Sequence, residues 1–519
     1  MDFFNQMKTV ATNDINYNRS VTENGAIGYS TTGKKLLDIN FKVASLRNAS
    51  NQVIKDSFID AYFEDPRLAI LWLFYVRDVR EGLGERRLFR VVFPSILETI
   101  ERNTSIGTVN ELINLISEYG RFDDLYCIVE SAPKYTNVVA EIFKKQLDLD
   151  LTNMNEGKSV SLLAKWLKSE NASSKESKML ARQTMKMLNM NASEYRKTLS
   201  KLRKYIDVTE IKMSNKEWDK IDYEKVPSRA SLIYKNAFLK NDNERYKQFI
   251  LNVNNGVAKI NASTLYPHDI VNKYSNGGYY QINRVDESLE VLWKNLPNTL
   301  KDKDSSNTLV VADGSGSMTC KVGNSKVSAL DVANALAIYF AERAQGPYKN
   351  KYITFSSKPQ FVDFTKCVTL KDKINMALKH DEVADTNIEK VFDLILDTAI
   401  KNNLSQDEIV HNILIISDME FNCCARCNSY GKINESLFQT IAKKYEEKGY
   451  KLPKLIFWNV NSRTGTIPVI QNDLGVSLVS GFSTNIVKMV LDNEVDPYKC
   501  LVKVLESDRY KKINDILIN

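Results

Sequence analysis

The sequence predicts a multidomain α + α/β protein, a helical-repeat module followed by a Rossmann-like domain. Up to about residue 300, apolar residues recur at helical spacing in successive blocks with short polar joints, which suggests a stacked array. After it, short β-branched runs (LVVAD, KYITF, NILIISD, KLIFWNV, VSLVS) alternate with helical stretches. That alternation means a mostly parallel sheet with helices on both faces. The stretch 297–307, rich in Lys, Asp, Ser and Asn, reads as the joint between them. The domains are therefore expected at 1–300 and 306–519.

Composition narrows the class. The chain has 519 residues, a formal charge of +7 and 43% hydrophobic residues, enough for sizeable cores. Its longest apolar run, Leu68 to Val76, is too short to span a bilayer, so no membrane partner is expected. The start lacks a basic region followed by an apolar one, and the seven cysteines are mostly scattered. Both fit a cytoplasmic, reducing setting. The charge is uneven: residues 151–250 hold 21 Lys/Arg against 12 Asp/Glu, whereas 1–150 hold 18 against 21. A basic stripe on a balanced protein suits a polyanion; the plainer reading is a solvated, Lys-rich helix face.

Along the first half, 1–50 reads as an irregular surface segment ending in the apolar anchor LLDINF. Asp65-Pro66 opens a helix expected to reach Arg80, apolar almost all round and so buried. It stops at Glu81-Gly82-Leu83-Gly84. The next helix, from about 85 to 99, begins with Arg86, Arg87 and Arg90. Helical periodicity continues through ELINLISEYG, VVAEIFKKQL, SLLAKWLKSE, SKMLARQTMKML and SEYRKTLSKLRKYI, and Pro227-Ser228 restarts it. The stretch 252–283 is polar and turn-rich. In the second half, KYITF and PQFVDF form an expected hairpin at the sheet edge.

One loop stands out: Asp313-Gly314-Ser315-Gly316-Ser317-Met318, after the strand LVVA. It offers one carboxylate and two hydroxyls, hard oxygen donors of the kind that hold Mg²⁺. The alternative is a metal-free helix-capping loop. Ligands in open parallel sheets bind beyond the carboxyl ends of strands. Two more loops should converge there: Asp385-Thr386-Asn387, before a helix, and Ser417-Asp418, after the strand NILII. Together they make an oxygen cage with an open position for a carboxylate.

The three loops, in that order, resemble the von Willebrand factor A domain and its metal-ion-dependent adhesion site over about residues 306–519. The resemblance implies that Asp313, Ser315, Ser317, Thr386 and Asp418 hold Mg²⁺, directly or through water. In the first half, Asn24-Gly25-Ala26, Tyr29, Thr32-Gly33 and LLDINF, with RDVREGLGERRLFR and YGRFDDL, resemble the TROVE module of Ro 60-kDa-type proteins. A Ro-like family of bacteria, phages and eukaryotes is similar further along, through AKWLKSE, EYRKTLSKLRK, YEKVPSRA and LYPHDIV. The resemblance implies HEAT-like repeats closed into a ring by the A domain. It also implies a ribonucleoprotein role: single-stranded RNA ends inside, a small structured RNA on a basic outer surface.

Cations that could track phosphates are Arg77, Arg80, Arg86, Arg87, Arg90, Arg196, Lys197, Lys201, Arg203, Lys204 and Arg229. For each, the alternative is a surface charge or a cation at a helix end. Cys423, Cys424 and Cys427, with Cys320, could form a zinc site or stay free thiols. No Walker A string, nucleophile elbow or histidine pair is present, so an enzyme is not expected. The function read from the sequence is an RNA-binding scaffold with a Mg²⁺-dependent docking domain. The alternative is a metal-dependent protein-interaction or virion-assembly component without RNA.

Overall fold

A computed structural model describes residues 18–275, 281–301, 307–323, 325, 327–423, 436–469, 476–486 and 496–518. The chain packs as two compact units that do not follow the linear joint near 300. One contains residues 1–69 and 265–505, the other 70–264 and 506–519. Each unit thus takes in one end of the chain. Among the described residues no helix is long and apolar enough to cross a membrane.

The first unit is built on a six-stranded sheet. Its strands are β3 (Thr308–Asp313), β4 (Lys351–Phe355), β5 (Pro359–Asp363), β6 (Asn412–Ser417), β7 (Lys454–Asn459) and β8 (Val476–Ser480), in spatial order β5-β4-β3-β6-β7-β8. Only the β4–β5 pair is antiparallel, which is the expected edge hairpin. The order reverses between β3 and β6, and that switch point opens a crevice beyond their carboxyl ends. Every residue of β3 is buried, as a continuous apolar run in a doubly covered sheet requires.

The helix Ala329–Arg343 begins with a capping box, in which Ser328 Oγ accepts from Asp331 N at 3.0 Å. It lies on β3 and is buried nearly all round. The reason is the helix Pro267–Ser275, which covers its far side with Ile270, Val271 and Tyr274. That helix falls in the stretch read from sequence as polar and turn-rich.

The N-terminal stretch is not an irregular surface segment either. β1 (Arg19–Val21) and β2 (Ile27–Tyr29) form a short antiparallel hairpin. Tyr29 and Ile467 exchange both backbone hydrogen bonds at 2.8 Å, and Gly25 bridges to Asn422. The helix Lys35–Phe41 buries Leu36, Leu37, Ile39 and Phe41, and Asn459 Nδ2 donates to the Phe41 carbonyl at 2.8 Å.

The second unit is helical: Pro66–Arg77 (entering from the first unit's chain), Arg86–Asn103, Ile106–Tyr119, Tyr126–Ser131, Thr136–Asn155, Lys175–Met187, Ala192–Tyr205, Ser228–Asn241 and Asn243–Asn254, with shorter turns between them. SLLAKWLKSE supplies only the short helix Leu163–Trp166. The helix from Pro66 ends at Arg77, three residues early, because the chain folds back. Leu83 N and Glu85 N donate to the Tyr75 and Val76 carbonyls at 3.1 and 2.7 Å. Gly82 is obligatory in that return, since a Cβ there would stand 1.9 Å from the Tyr75 carbonyl oxygen. The C-terminal stretch closes on the same place: Arg509 Nε donates to buried Asp78 at 2.7 Å, and Tyr119 Oη donates to the Arg509 carbonyl at 2.9 Å.

Candidate functional site

The three loops expected to converge meet at the switch point. Asp313 ends β3, Asp418 follows β6, and Thr386 lies on the loop before the helix Glu389–Lys401. Asp313, Ser315, Thr386 and Asp418 are each at most 1% exposed. The loop turns tightly: Ser315 N donates to Asp313 Oδ1 at 2.9 Å, and the Ser315 and Ser317 hydroxyls are 3.1 Å apart. Ser417 Oγ donates to Asp313 Oδ2 at 2.5 Å, fixing the carboxylate from β6. Backbone bonds lock the neighbouring loop in place, Val383 N to the Gly314 carbonyl and Gly316 N to the Ala384 carbonyl, both at 3.0 Å.

The electrostatics of these carboxylates are set by burial. Burial first, and then the Asp418 charge, pushes the Asp313 carboxyl up. Asp418 is raised too, by burial, against the opposing charge of Arg463. Two buried carboxylates in each other's field, with serine and threonine hydroxyls beside them, fit a hard divalent cation, which removes that repulsion and takes oxygen ligands.

Four groups at this face had not been singled out from the sequence as site residues. Arg463, on the loop after β7, donates from Nη1 to Asp418 Oδ2 at 2.9 Å. Its Nε and Nη2 donate to the two oxygens of Glu23 at 2.8 and 2.5 Å. Buried Glu420 accepts at one oxygen from Arg463 N (2.8 Å) and Thr464 N (3.0 Å), and at the other from Glu23 N (2.9 Å). Asn24 Nδ2 donates to Thr386 Oγ1 at 3.2 Å and to the Glu420 carbonyl at 2.6 Å. The only legible signal was for Glu420, a second acid two residues after Asp418. Glu23, Asn24 and Arg463 lie too far away in sequence for any spacing to reveal them.

The predicted basic residues divide. Arg77 is 3% exposed and donates from Nε and Nη2 to Asp124 Oδ2 at 2.8 and 2.6 Å. Arg90 Nε donates to Asp124 Oδ1 at 2.6 Å, and its Nη2 lies 2.8 Å from Asp123. Burial opposes ionisation of Asp124, but Arg77 and Arg90 outweigh it and hold the carboxyl below its usual range. Arg203 donates to the Ala164 and Leu167 carbonyls and to Ser169 Oγ at 2.7–2.8 Å. These three guanidinium groups are internal braces, not free phosphate contacts, which corrects their reading. Arg196 pairs with Glu170 at 2.9 Å.

Arg80, Arg86, Arg87, Lys197, Lys201, Lys204 and Arg229 are exposed. Lys197, Lys201 and Lys204 share one face of Ala192–Tyr205, opposite buried Tyr195, Leu199 and Leu202. A second stripe lies on the helix Lys175–Met187: Lys175, Lys178, Arg182 and Lys186 are exposed, opposite buried Leu180, Ala181 and Thr184. Its spacing was readable in SKESKMLARQTMKM. Of the cysteines, Cys320 is exposed and Cys423 partly buried; Cys424 and Cys427 lie outside the described residues.

Fold and site define a helical module combined with a doubly wound α/β domain that carries an acidic, hydroxyl-lined crevice. The chain belongs to the family of "Uncharacterized protein L728" of Acanthamoeba polyphaga mimivirus, to which it is 30% identical over 537 residues, covering 97% of this chain and 89% of that one. Two family models match, each described as a domain of unknown function: DUF2828 over residues 129–306 and DUF7788 over 307–514. Among solved structures, the Deinococcus radiodurans RO (RSR) protein is similar at a TM-score of 0.41 and 13% identity, over 92% of this chain and 99% of that one.

Proposed function

We propose that the protein is an RNA-binding scaffold whose helical unit holds RNA phosphates on its basic helices. The observation that carries this reading is the pair of exposed stripes, Lys175, Lys178, Arg182 and Lys186 on one helix and Lys197, Lys201 and Lys204 on another. Cations at successive helical turns match a phosphate backbone without reading its bases. Non-coding or misfolded RNA, single-stranded or as a small structured species, is the expected cargo. The α/β domain acts as a docking module: Asp313, Ser315, Ser317, Thr386 and Asp418 would hold Mg²⁺, and the bound cation supplies an electrophilic position for a carboxylate. The role is binding, not catalysis, in the cytoplasm.

The test is fluorescence anisotropy with a labelled single-stranded RNA across a salt series. Binding should weaken linearly in log–log form as salt rises. No binding at 50 mM salt overturns the RNA reading and leaves the metal-dependent protein-interaction role standing.

A further inference from the structure

The outward side of the acidic crevice is covered by this chain's own N-terminal segment. Thr22 Oγ1 donates to the Phe421 carbonyl at 2.6 Å, and Cys423 N donates to the Asn24 carbonyl at 3.2 Å, on either side of Glu23. Glu420 joins the two partners from below, because its separate oxygens hold the backbone N–H groups of Glu23 and Arg463. The Glu23 carboxylate grips the Arg463 guanidinium along its Nε–Nη2 edge, which leaves Nη1 aimed at Asp418 Oδ2 and, at 3.3 Å, at the Ser317 carbonyl. A guanidinium fixed at both ends in this way has one orientation, and it points into the acidic crevice.

Asp418 is fully buried, with Oδ1 accepting from Glu420 N at 3.2 Å and Oδ2 facing Arg463. An oxygen that pairs with a guanidinium is not available to a dehydrated divalent ion, and two cations on one carboxylate repel each other. We propose that Arg463 is a tethered cation that competes with the divalent metal for Asp418, held in place by Glu23. In this chain the face that would receive a partner's carboxylate is occupied in cis by residues 22–24. This rests on the reading of the crevice as a divalent-cation site. Metal entry and the Arg463–Asp418 pair are then coupled, and by linkage each weakens the other by the same factor.

The experiment is a titration of MgCl₂ into the full chain by isothermal calorimetry, for the unaltered protein and for Arg463→Met. The substitution keeps an unbranched apolar stem and removes the guanidinium and its charge. The expected result is Mg²⁺ binding at least tenfold tighter in the variant, or binding seen in the variant alone. Equal or weaker binding in the variant overturns the competition and leaves the metal site intact. No binding in either protein overturns both. A second measurement does not depend on the variant folding: modification of Arg463 by phenylglyoxal in the unaltered chain, mapped by mass spectrometry. Its rate should rise several-fold at saturating Mg²⁺; an unchanged rate at a Mg²⁺ concentration shown to saturate the site overturns the proposal.

Discussion

Arg77 and Asp124 form a buried two-point ion pair, with Nε and Nη2 of the arginine at 2.8 and 2.6 Å from one carboxylate oxygen. The pair ties the return after the helix Pro66–Arg77 to the turn that opens with Arg121. Gly120 is needed there, because a Cβ would come within 2.5 Å of Asp124 Oδ2. Removing one partner leaves a buried charge short of compensation, a loss of about 3 kcal/mol or more. Arg77→Met should lower the urea midpoint accordingly, while RNA affinity measured below the unfolding transition stays unchanged. A selective loss of RNA affinity without loss of stability would return Arg77 to the binding surface.

At the crevice, Asp313→Asn should abolish any rise in melting temperature caused by Mg²⁺. Without metal the same change should stabilise the fold at pH 7.5, because it removes a carboxylate whose ionisation burial and the Asp418 charge oppose. Differential scanning fluorimetry with and without 5 mM MgCl₂ reads both effects.

Asp381 provides a pH test at a group that is not one of the proposed ligands. It accepts from Asn334 Nδ2 at 2.7 Å, while its other oxygen is buried without a hydrogen-bond partner. Burial pushes its carboxyl up to about 7, against the hydrogen bond from Asn334. Between the ordinary carboxylate range and about pH 7 the unfolded chain has lost a proton that the folded chain keeps. Stability contributed here therefore falls as pH rises across that window and is level above it. Asp381→Asn removes the loss, so its melting temperature should gain on the unaltered protein from pH 4.5 to 7 and then run parallel. The upper bound of the gain is about 4 kcal/mol.

The two classes of cation should separate in an RNA titration. Lys197→Glu with Lys201→Glu should weaken binding at least tenfold at 100 mM salt and reduce the salt slope, since each phosphate contact contributes to that slope. Arg203→Met should instead lower the melting temperature, because its guanidinium holds the Ala164 and Leu167 carbonyls. Equal RNA affinity in the double lysine variant would remove that helix from the surface.

The strands, their alternation with helices and the edge hairpin were legible because each is a local pattern, and the three acidic and hydroxyl loops were legible because sheet topology brings strand ends together. Arg77, Arg90 and Arg203 looked like candidate phosphate contacts, since sequence gives charge and not burial; their acceptors, Asp124 among them, lie 34 to 47 residues away. The contacts that Glu23, Asn24 and Arg463 make at the acidic face were invisible for the same reason at a larger scale. The stripe Lys175–Lys186 is legible in the sequence as well, because its cations recur at helical spacing.

That largest scale bears on how the chain is made. Glu23 N meets Glu420 across 397 residues, and Arg509 meets Asp78 across 431. A nascent chain emerging from the ribosome therefore exposes the apolar residues of the helix Lys35–Phe41, Leu36, Leu37, Ile39 and Phe41, long before Asn459 and Ser480 exist to receive them. Closing such distant contacts is slow. A translation product that stops near residue 410 would keep its strand-forming beginning with nowhere to dock, so premature termination should yield aggregates instead of a smaller working protein.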